Sequence, residues 1–242
     1  MDIEFNRPDG KQERGYLAMP REGEKSPAVV LIHEWWGLND QVKRTADRLA
    51  EEGFRVFVPD LYRGQHAKIG DVAAATALMS KLDMDDAVAQ TVRGAVQHLK
   101  QRGGGNTRVA ILGFCMGGAV AIKAAVEVRE LDAAISFYAV KPNEIADVRN
   151  IRIPFQAHVS RVDEFTPQQQ IDAFEKNLEA GGVQHDVHRY DAQHAFMNEQ
   201  RPDKYDAVAA KTAWDRAVRF LETTIGGHAT IGPTHPGQAP IP

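Results

Sequence analysis

The chain has 242 residues, of which 43% are apolar, and its formal net charge is −4. This apolar content is enough for one large or two small domains with a buried core, which excludes a chain that is disordered over its whole length. The negative charge excludes a broad basic surface, so we expect no nucleic-acid partner.

No apolar run approaches the roughly 20 residues that span a bilayer, so we expect no membrane association. The first residues also lack the charged and apolar segments of a signal peptide. We therefore expect a cytoplasmic protein, which is either a monomer or a small homo-oligomer. The single cysteine cannot form an internal disulfide, so its role is either chemical or that of a small apolar residue.

The first half of the chain predicts strands that alternate with helices. Two strand-like runs between Asp2 and Met19 flank a turn with proline and glycine, which predicts an antiparallel hairpin at a sheet edge. Residues 28–32 are all apolar, as is typical of a strand buried on both faces of a parallel sheet. The spacing of apolar residues then predicts a helix at 39–52, a strand at 54–59, helices at 71–81 and 85–101, and a strand at 108–113.

The second half continues the alternation and closes with a tail. The predicted elements are a helix at 119–130, strands at 133–138 and 153–159, a helix at 167–180, a strand at 185–190 and a helix at 203–224. Repeated strands and helices predict an α/β fold with a doubly wound, mostly parallel sheet and helices on both faces. We expect one domain at 1–225 and a flexible tail, rich in glycine and proline, at 226–242.

Residues 113–118 have the sequence Gly-Phe-Cys-Met-Gly-Gly and lie between a predicted buried strand and a predicted helix. This context is typical of a nucleophile elbow, in which small residues let strand and helix approach closely. A thiol there also lies at a helix N-terminus, which favours the thiolate that attacks a carbonyl, and the N–H of Met116 would hold the oxyanion. The alternative is that Cys115 is a small apolar residue buried beneath a helix.

A nucleophile elbow also predicts the order of its partners along the chain, with an acid next and a histidine last. His194 follows the last predicted strand in a polar loop, and we expect it to take the thiol proton and return one to the leaving oxygen. The acid that orients this imidazole is either Asp163 or Glu164, on the loop after the strand at 153–159. A solvated loop carboxylate is the alternative for both.

Five motifs, taken in order, resemble the dienelactone hydrolase family from about Asp2 to Leu221. They are His-Glu-Trp-Trp-Gly at 33–37, Pro-Asp-Leu-Tyr at 59–62, the elbow at 113–118, Asp-Glu-Phe-Thr-Pro at 163–167 and His-Ala-Phe at 194–196. The resemblance implies an α/β-hydrolase fold, a carboxymethylenebutenolidase-like activity and a triad of Cys115, Asp163 and His194. It also favours Asp163 over Glu164 as the acid.

The resemblance implies further roles near the elbow. In this family a carboxylate at the place of Glu34 interacts with the cysteine and helps to switch it between thiol and thiolate, whereas the alternative is a carboxylate that caps the following helix. The N–H of Trp35 would be the second oxyanion donor. The expected pocket side chains are Trp36, Tyr138, Phe196 and Asn198. Core packing is the alternative for Trp36 and Tyr138.

The chain departs from the family in the residues that bind the substrate's carboxylate. The best-known members use two arginines, one of them four residues beyond the histidine, where this chain has Asn198. The other belongs to a helix at the place of residues 71–82, which contain no arginine. A dienelactone is therefore not the expected substrate. Four other basic residues are candidates for binding an anion, with a solvated surface charge as the alternative for each: Arg63, Lys68, Arg161 and Arg201.

The leading hypothesis is a hydrolase that cleaves a small ester or lactone through an acyl-enzyme on Cys115. One alternative is a redox or ligand-binding protein that uses this thiol without turnover. Another is a cysteine peptidase on a similar sheet, which would usually not share this order of nucleophile, acid and histidine. No second histidine follows His33 at helical spacing and no Walker-type phosphate loop occurs, so we expect no metal and no cofactor.

Overall fold

The computed structural model describes residues 1–103 and 107–226. The tail predicted at 226–242 lies outside the described residues apart from Gly226, so the division into a domain and a tail stays a prediction. Within the described ranges, no helix combines the length and the apolar character that a membrane span requires.

In the part of the chain that the structure describes, eight strands form one sheet in the order β1-β2-β4-β3-β5-β6-β7-β8. The strands are β1 Asp2–Asn6, β2 Gln12–Ala18, β3 Ala28–Ile32, β4 Arg55–Pro59, β5 Val109–Phe114, β6 Ala133–Phe137, β7 Phe155–Val162 and β8 His185–Gln193. The pairs β1·β2 and β2·β4 are antiparallel, and all other neighbours are parallel. The predicted N-terminal hairpin therefore lies at one edge of a mostly parallel sheet.

Helices cover both faces of this sheet. They are α1 Asp40–Glu51, α2 Val72–Met79, α3 Met84–Asp86, α4 Arg93–Arg102, α5 Met116–Glu127, α6 Pro142–Ile145, α7 Gln168–Ala180 and α8 Ala207–Thr224, with a π-helical segment at Ala87–Val92. Apolar side chains of α4, α5 and α7 pack on one face, and those of α1 and α8 pack on the other. The central strand β3 contacts both cores and all of its side chains are buried, which explains why it is apolar throughout. The predicted fold class is confirmed.

Several element boundaries differ from the sequence-based prediction, and three of these differences have a structural explanation or consequence. The helix predicted at 85–101 is a run of α3, the π-helical segment and α4. The closing helix begins at Ala207 because the side chain of Asp206 accepts the N–H groups of Val208 and Ala209 and so caps it. Strand β8 continues to Gln193, which pairs with Val162 beyond an irregularity in β7. This extension carries the chain to the residue that precedes His194.

A buried arginine ties the N-terminal hairpin to the helical layer. The guanidinium of Arg7, which is 3% exposed, contacts Asp9 at 2.8 Å, Glu13 at 2.7 Å and Asp86 at 2.7 Å. Burial lowers the pKa of Arg7, but the three carboxylates outweigh this effect and raise it above its ordinary value. Because Asp86 belongs to α3, this cluster fixes the hairpin against the helices that follow β4.

Replacing Arg7 by Met should therefore destabilise the fold. The apolar stem is kept, but the buried carboxylate of Glu13 loses its closest cationic partner, so we expect a loss of about 3 kcal/mol in the free energy of unfolding. The matched control is Arg14→Met, since Arg14 contacts Glu4 in an exposed pair and its loss should cost less than about 1 kcal/mol. Urea denaturation measures both values, and equal losses would contradict the structural role of Arg7.

Candidate active site

Cys115 lies at the junction between β5 and α5 in a strained backbone conformation. Its φ is 55° and its ψ is −116°, values that residues with a side chain rarely adopt. The N–H of Cys115 donates to the carbonyl of Phe137 on the neighbouring strand at 3.0 Å, which holds the turn against the sheet. This geometry is that of a nucleophile elbow.

The glycines of residues 113–118 are required by close approach of the backbone. A Cβ on Gly117 would lie 2.5 Å from the carbonyl oxygen of Ile32, and one on Gly118 would lie 2.7 Å from that of Phe137. A Cβ on Gly113 would collide with the carbonyl of Gly117. The steric role predicted for these glycines is confirmed.

The structure brings Cys115, His194 and Asp163 into one chain of contacts. Nε2 of His194 is 3.1 Å from Sγ of Cys115, and Nδ1 of His194 is 2.9 Å from Oδ2 of Asp163. The other oxygen of Asp163 accepts the N–H groups of Phe165 and Thr166 at 2.9 Å and 3.2 Å, which fixes the carboxylate. Cys115 is 9% exposed and His194 is 5% exposed. Both residues are thus largely shielded from solvent.

Glu164, the other sequence candidate for the acid, points elsewhere. Its carboxylate accepts from Nζ of Lys204 at 2.8 Å, and the same ammonium donates to the side chain of Gln193 at 3.0 Å. Lys204 therefore connects the loop that carries Asp163 to the end of β8, immediately before His194.

The topology explains why these three side chains meet. Cys115 follows β5, Asp163 follows β7 and His194 follows β8. Because parallel strands end at the same edge of a sheet, side chains that follow them converge there. The residue after the histidine, Ala195, has a φ of 65°, so the chain turns sharply away from β8 at this point.

Electrostatics favour a protonated imidazole beside the sulfur. Burial lowers the pKa of His194, but the negative charge of Cys115 and the hydrogen bond to Asp163 outweigh it and raise the pKa to about 10. The ring is held between Tyr138 and Phe165, at centroid distances of 5.1 Å and 4.7 Å. The raised pKa of His194 therefore favours an imidazolium beside the sulfur.

The predicted oxyanion donors lie on the two segments that flank this sulfur. Met116 is the first residue of α5, where N–H groups have no intrahelical acceptor, and Trp35 lies in the turn after β3. The turn is closed by the N–H of Gly37, which donates to the carbonyl of Glu34 at 3.1 Å. In the described part of the chain, neither the Trp35 nor the Met116 N–H has a backbone acceptor outside regular elements.

His33 supports this turn, a role that sequence analysis did not assign. Its Nδ1–H donates to the carbonyl of Glu34 at 2.7 Å, and its Nε2 accepts the N–H of Leu61 at 3.3 Å. Both contacts require the neutral tautomer with the proton on Nδ1, and burial lowers the pKa of His33 in agreement. His33 thus joins the ends of β3 and β4.

The carboxyl group of Glu34 is buried beside the triad. It accepts from the hydroxyl of Tyr138 at 3.1 Å and from the amide of Asn198 at 2.7 Å. Burial raises its pKa, and the donors together with the nearby charge of His194 only partly oppose this. The alternative of a helix cap does not apply, because Asn39 caps α1.

The four expected pocket side chains are all buried, and three of them, Tyr138, Phe196 and Asn198, are linked by contacts to His194 or Glu34. Trp36 packs against Ala67 and Ala75, and Phe196 packs on Tyr138 at a centroid distance of 5.3 Å. The hydroxyl of Tyr138 and the amide nitrogen of Asn198 both donate to Glu34. All four are at most 2% exposed, so any contact that they make with a substrate stays a prediction.

Three of the four basic candidates for anion binding are already paired with carboxylates. Arg63 contacts Glu13 and Asp86, Arg161 contacts Asp191 at 3.0 Å, and Arg201 contacts Asp203 at 2.7 Å. Lys68 is exposed. Within residues 1–103 and 107–226, no group of three or more His, Cys, Asp or Glu side chains is arranged to hold a metal ion.

Two aromatic residues near the site were not assigned a role from sequence. The hydroxyl of Tyr62 contacts Sδ of Met116 at 3.2 Å, and the ring of Phe165 packs on His194 while remaining 44% exposed. Both lie inside motifs recognised in the sequence, at 59–62 and 163–167. The motifs indicated their neighbourhood, but only the folded chain brings their side chains to the elbow.

Comparisons with known proteins identify relatives of this chain in sequence and in fold. A protein of Aquifex aeolicus (strain VF5) named "Putative carboxymethylenebutenolidase" is 34% identical over 227 residues, covering 91% of this chain and 97% of its own. "Protein usf" of Aquifex pyrophilus is also 34% identical, over 229 residues that cover 91% of this chain and 96% of its own. A crystal structure from Klebsiella pneumoniae subsp. pneumoniae MGH 78578, named "Putative Dienelactone Hydrolase", shares the fold with a TM-score of 0.81 at 24% identity, covering 91% and 98% of the two chains.

The model of the dienelactone hydrolase family matches residues 14–225, which is most of the chain. The resemblance inferred from five sequence motifs is therefore confirmed, and the chain belongs to the dienelactone hydrolase family.

Proposed function

We propose that this hydrolase cleaves a small ester or lactone by attack of Cys115 on the carbonyl carbon, through an acyl-enzyme. The observation that carries the proposal is the unbroken contact chain from Sγ of Cys115 through His194 to Asp163, with distances of 3.1 Å and 2.9 Å. Such a chain gives a nucleophile, a proton carrier and a group that orients the carrier.

Acylation uses the proton that His194 holds. The thiolate forms an Sγ–C bond with the substrate carbonyl, whose π electrons move to the oxygen, and this oxyanion accepts from the N–H groups of Trp35 and Met116. When the intermediate collapses, the C–O bond to the leaving group breaks. Nε2–H of His194 gives its proton to that oxygen, and a thioester on Cys115 remains.

Deacylation uses the imidazole as a base. The acylated sulfur carries no charge, so the largest influence that raises the pKa of His194 is removed and the ring gives up its proton more readily. Nε2 then takes a proton from water, the oxygen of that water bonds to the thioester carbon, and the Sγ–C bond breaks. The products are the free acid and the restored pair of thiolate and imidazolium.

The surroundings of the triad support a substrate that is small and uncharged. Arg63, Arg161 and Arg201 are each bound to carboxylates, which leaves them poorly suited to hold an anionic substrate. The exposed ring of Phe165 beside His194 offers an apolar surface instead. The Aquifex aeolicus relative is named "Putative carboxymethylenebutenolidase", and a lactone accordingly remains within the proposed substrate class.

A reactive-thiol protein without turnover is the alternative, and the site favours it less. Such a protein needs an accessible thiolate but has no use for a carboxylate that orients the histidine. The two backbone N–H groups that fix Asp163 are likewise unexplained by it. A slow, stoichiometric reaction of Cys115 with esters would favour this alternative.

The acyl-enzyme gives the direct test of the proposal. Acid quenching during turnover of p-nitrophenyl acetate should yield a peptide that contains Cys115 and carries one acetyl group, detected by mass spectrometry. Cys115→Ala should lose both the acetylated peptide and the hydrolysis. Hydrolysis that survives in Cys115→Ala would exclude the mechanism.

Two neighbouring carboxylates allow a matched test of the acid. Asp163→Asn keeps the size of the side chain but removes the charge beside His194, so we expect kcat to fall about 10²- to 10⁴-fold. Glu164→Gln makes the same change one residue away, at a carboxylate bound to Lys204, and should leave kcat within about twofold. Steady-state kinetics on one ester compares them, and the reverse order of effects would assign the acid to Glu164.

The proposed ion pair predicts how His194 titrates. The imidazolium should persist up to a pH of about 10 in the unmodified protein, because the charge of Cys115 raises the pKa of His194. Cys115→Ala removes that charge while burial continues to lower the pKa, so the ring should lose its proton at a distinctly lower pH. NMR titration of the imidazole nitrogens measures both, and an unchanged pKa in the variant would contradict the pair.

We further propose that Glu34 modulates the thiol through its charge. The buried carboxyl lies close enough to His194 for the two charges to attract, so ionised Glu34 favours the imidazolium and with it the thiolate. Glu34→Gln should therefore lower the pKa of His194 in the same NMR titration, with Glu164→Gln as the control that leaves it unchanged. Equal titration of both variants and the unmodified protein would refute this role.

A further inference from the structure

Tyr62 places a buried hydroxyl group beside the elbow. It follows β4 at the edge of the sheet where the triad lies, is 7% exposed, and packs its ring on His33 at a centroid distance of 5.1 Å. Its hydroxyl donates to Sδ of Met116 at 3.2 Å. Met116 directly follows Cys115 and is the residue whose N–H is proposed to hold the oxyanion.

This hydroxyl has a poor acceptor. A thioether sulfur is a weak hydrogen-bond acceptor, whereas a buried tyrosine hydroxyl usually reaches an oxygen or a nitrogen. In the part of the chain that the structure describes, the Tyr62 hydroxyl donates only to this sulfur. Because the exchange of a thioether for a charged oxygen strengthens a hydrogen bond, an oxyanion formed nearby would attract the hydroxyl.

The position of Tyr62 also gives it access to a bound molecule. The residue lines a cleft of about 460 Å³ whose walls combine leucine side chains with charged ones such as Lys81 and Asp86. Tyr62 therefore lies between this cleft and Met116.

We propose that the hydroxyl of Tyr62 leaves Met116 and donates a hydrogen bond to the substrate's carbonyl oxygen as this becomes the oxyanion. It acts as a third donor beside the N–H groups of Trp35 and Met116, and the inference rests on the function proposed above. The Sγ–C bond forms, the carbonyl π electrons move to the oxygen, and the phenol keeps its proton throughout.

A role in proton transfer fits Tyr62 less well. Burial, followed by the negative charge of Cys115, raises the pKa of this hydroxyl above its ordinary value. A group that holds its proton so firmly is a poor general acid near neutral pH but remains a hydrogen-bond donor. His194 already supplies the proton for the leaving group.

Tyr62→Phe removes the hydroxyl and keeps the ring that packs on His33. We expect kcat to fall about 10- to 100-fold, with KM changed less than about threefold, for both p-nitrophenyl acetate and a simple alkyl ester. The matched control is Tyr16→Phe. It removes a hydroxyl of β2 that donates to Asp47 of α1, and it should keep kcat within about twofold. Circular dichroism checks that both variants are folded.

Alkylation of Cys115 by iodoacetamide separates a donor from a merely structural residue. This reaction displaces iodide and forms no oxyanion, so its rate in Tyr62→Phe should match that of the unmodified protein. A parallel loss of alkylation and hydrolysis would overturn the proposal, because Tyr62 would then act by holding the elbow. A loss confined to the alkyl ester would overturn it in favour of a proton donor, and an unchanged kcat would overturn it outright.

These outcomes are distinct from failure of the proposed function. If the unmodified protein hydrolyses none of these esters, the function itself is refuted and the role of Tyr62 is refuted with it. If the unmodified protein is active and only the expected effect of Tyr62→Phe is missing, the hydrolase mechanism stands without this donor.

Discussion

The backbone of Cys115 is the constraint on which the site depends. A residue with a φ of 55° is stable only where its neighbours leave it no other conformation, and here the neighbours are a buried strand and a helix packed almost in backbone contact. Gly117 and Gly118 make that contact possible, because a Cβ atom at either position would overlap with a backbone carbonyl group of β3 or β6. The same turn that strains the chain also directs Sγ to the edge where β7 and β8 end.

Burial and charge act in opposite directions around this sulfur. Burial alone would leave His194 neutral, yet the sulfur and the fixed carboxylate of Asp163 reverse the effect. For Glu34 the balance is different, since two neutral donors and a nearby cation do not overcome burial. The site thus combines an imidazole, His194, and a carboxyl group, Glu34, whose pKa values are both raised. Loss of the sulfur's charge on acylation would lower the pKa of His194, and loss of the imidazolium would in turn raise that of Glu34.

The order and type of the strands and the elbow itself could be predicted from sequence, because each depends on local signals: continuous apolar runs, glycine spacing and the helix that follows Cys115. The acid could not be chosen by such local signals, since Asp163 and Glu164 are adjacent and chemically similar. The resemblance to a family favoured Asp163, and the direction of each side chain agrees with that choice. Tyr62 and His33 were missed for a related reason. Tyr62 follows β4 and contacts Met116 of α5, and His33 contacts the turn after β3. No periodicity along the chain predicts contacts of this kind.

The contact with Lys204 gives Glu164, the other candidate for the acid, a structural role. The ammonium of Lys204 donates hydrogen bonds to both Glu164 and Gln193, and so connects the loop that carries Asp163 to the residue before His194. The two adjacent carboxylates therefore have different partners: Asp163 contacts the buried imidazole of His194, and Glu164 contacts Lys204 at the surface. Because Glu164 is exposed, this outer contact adds little free energy, and Asp163 remains the carboxylate on which the alignment of the ring depends.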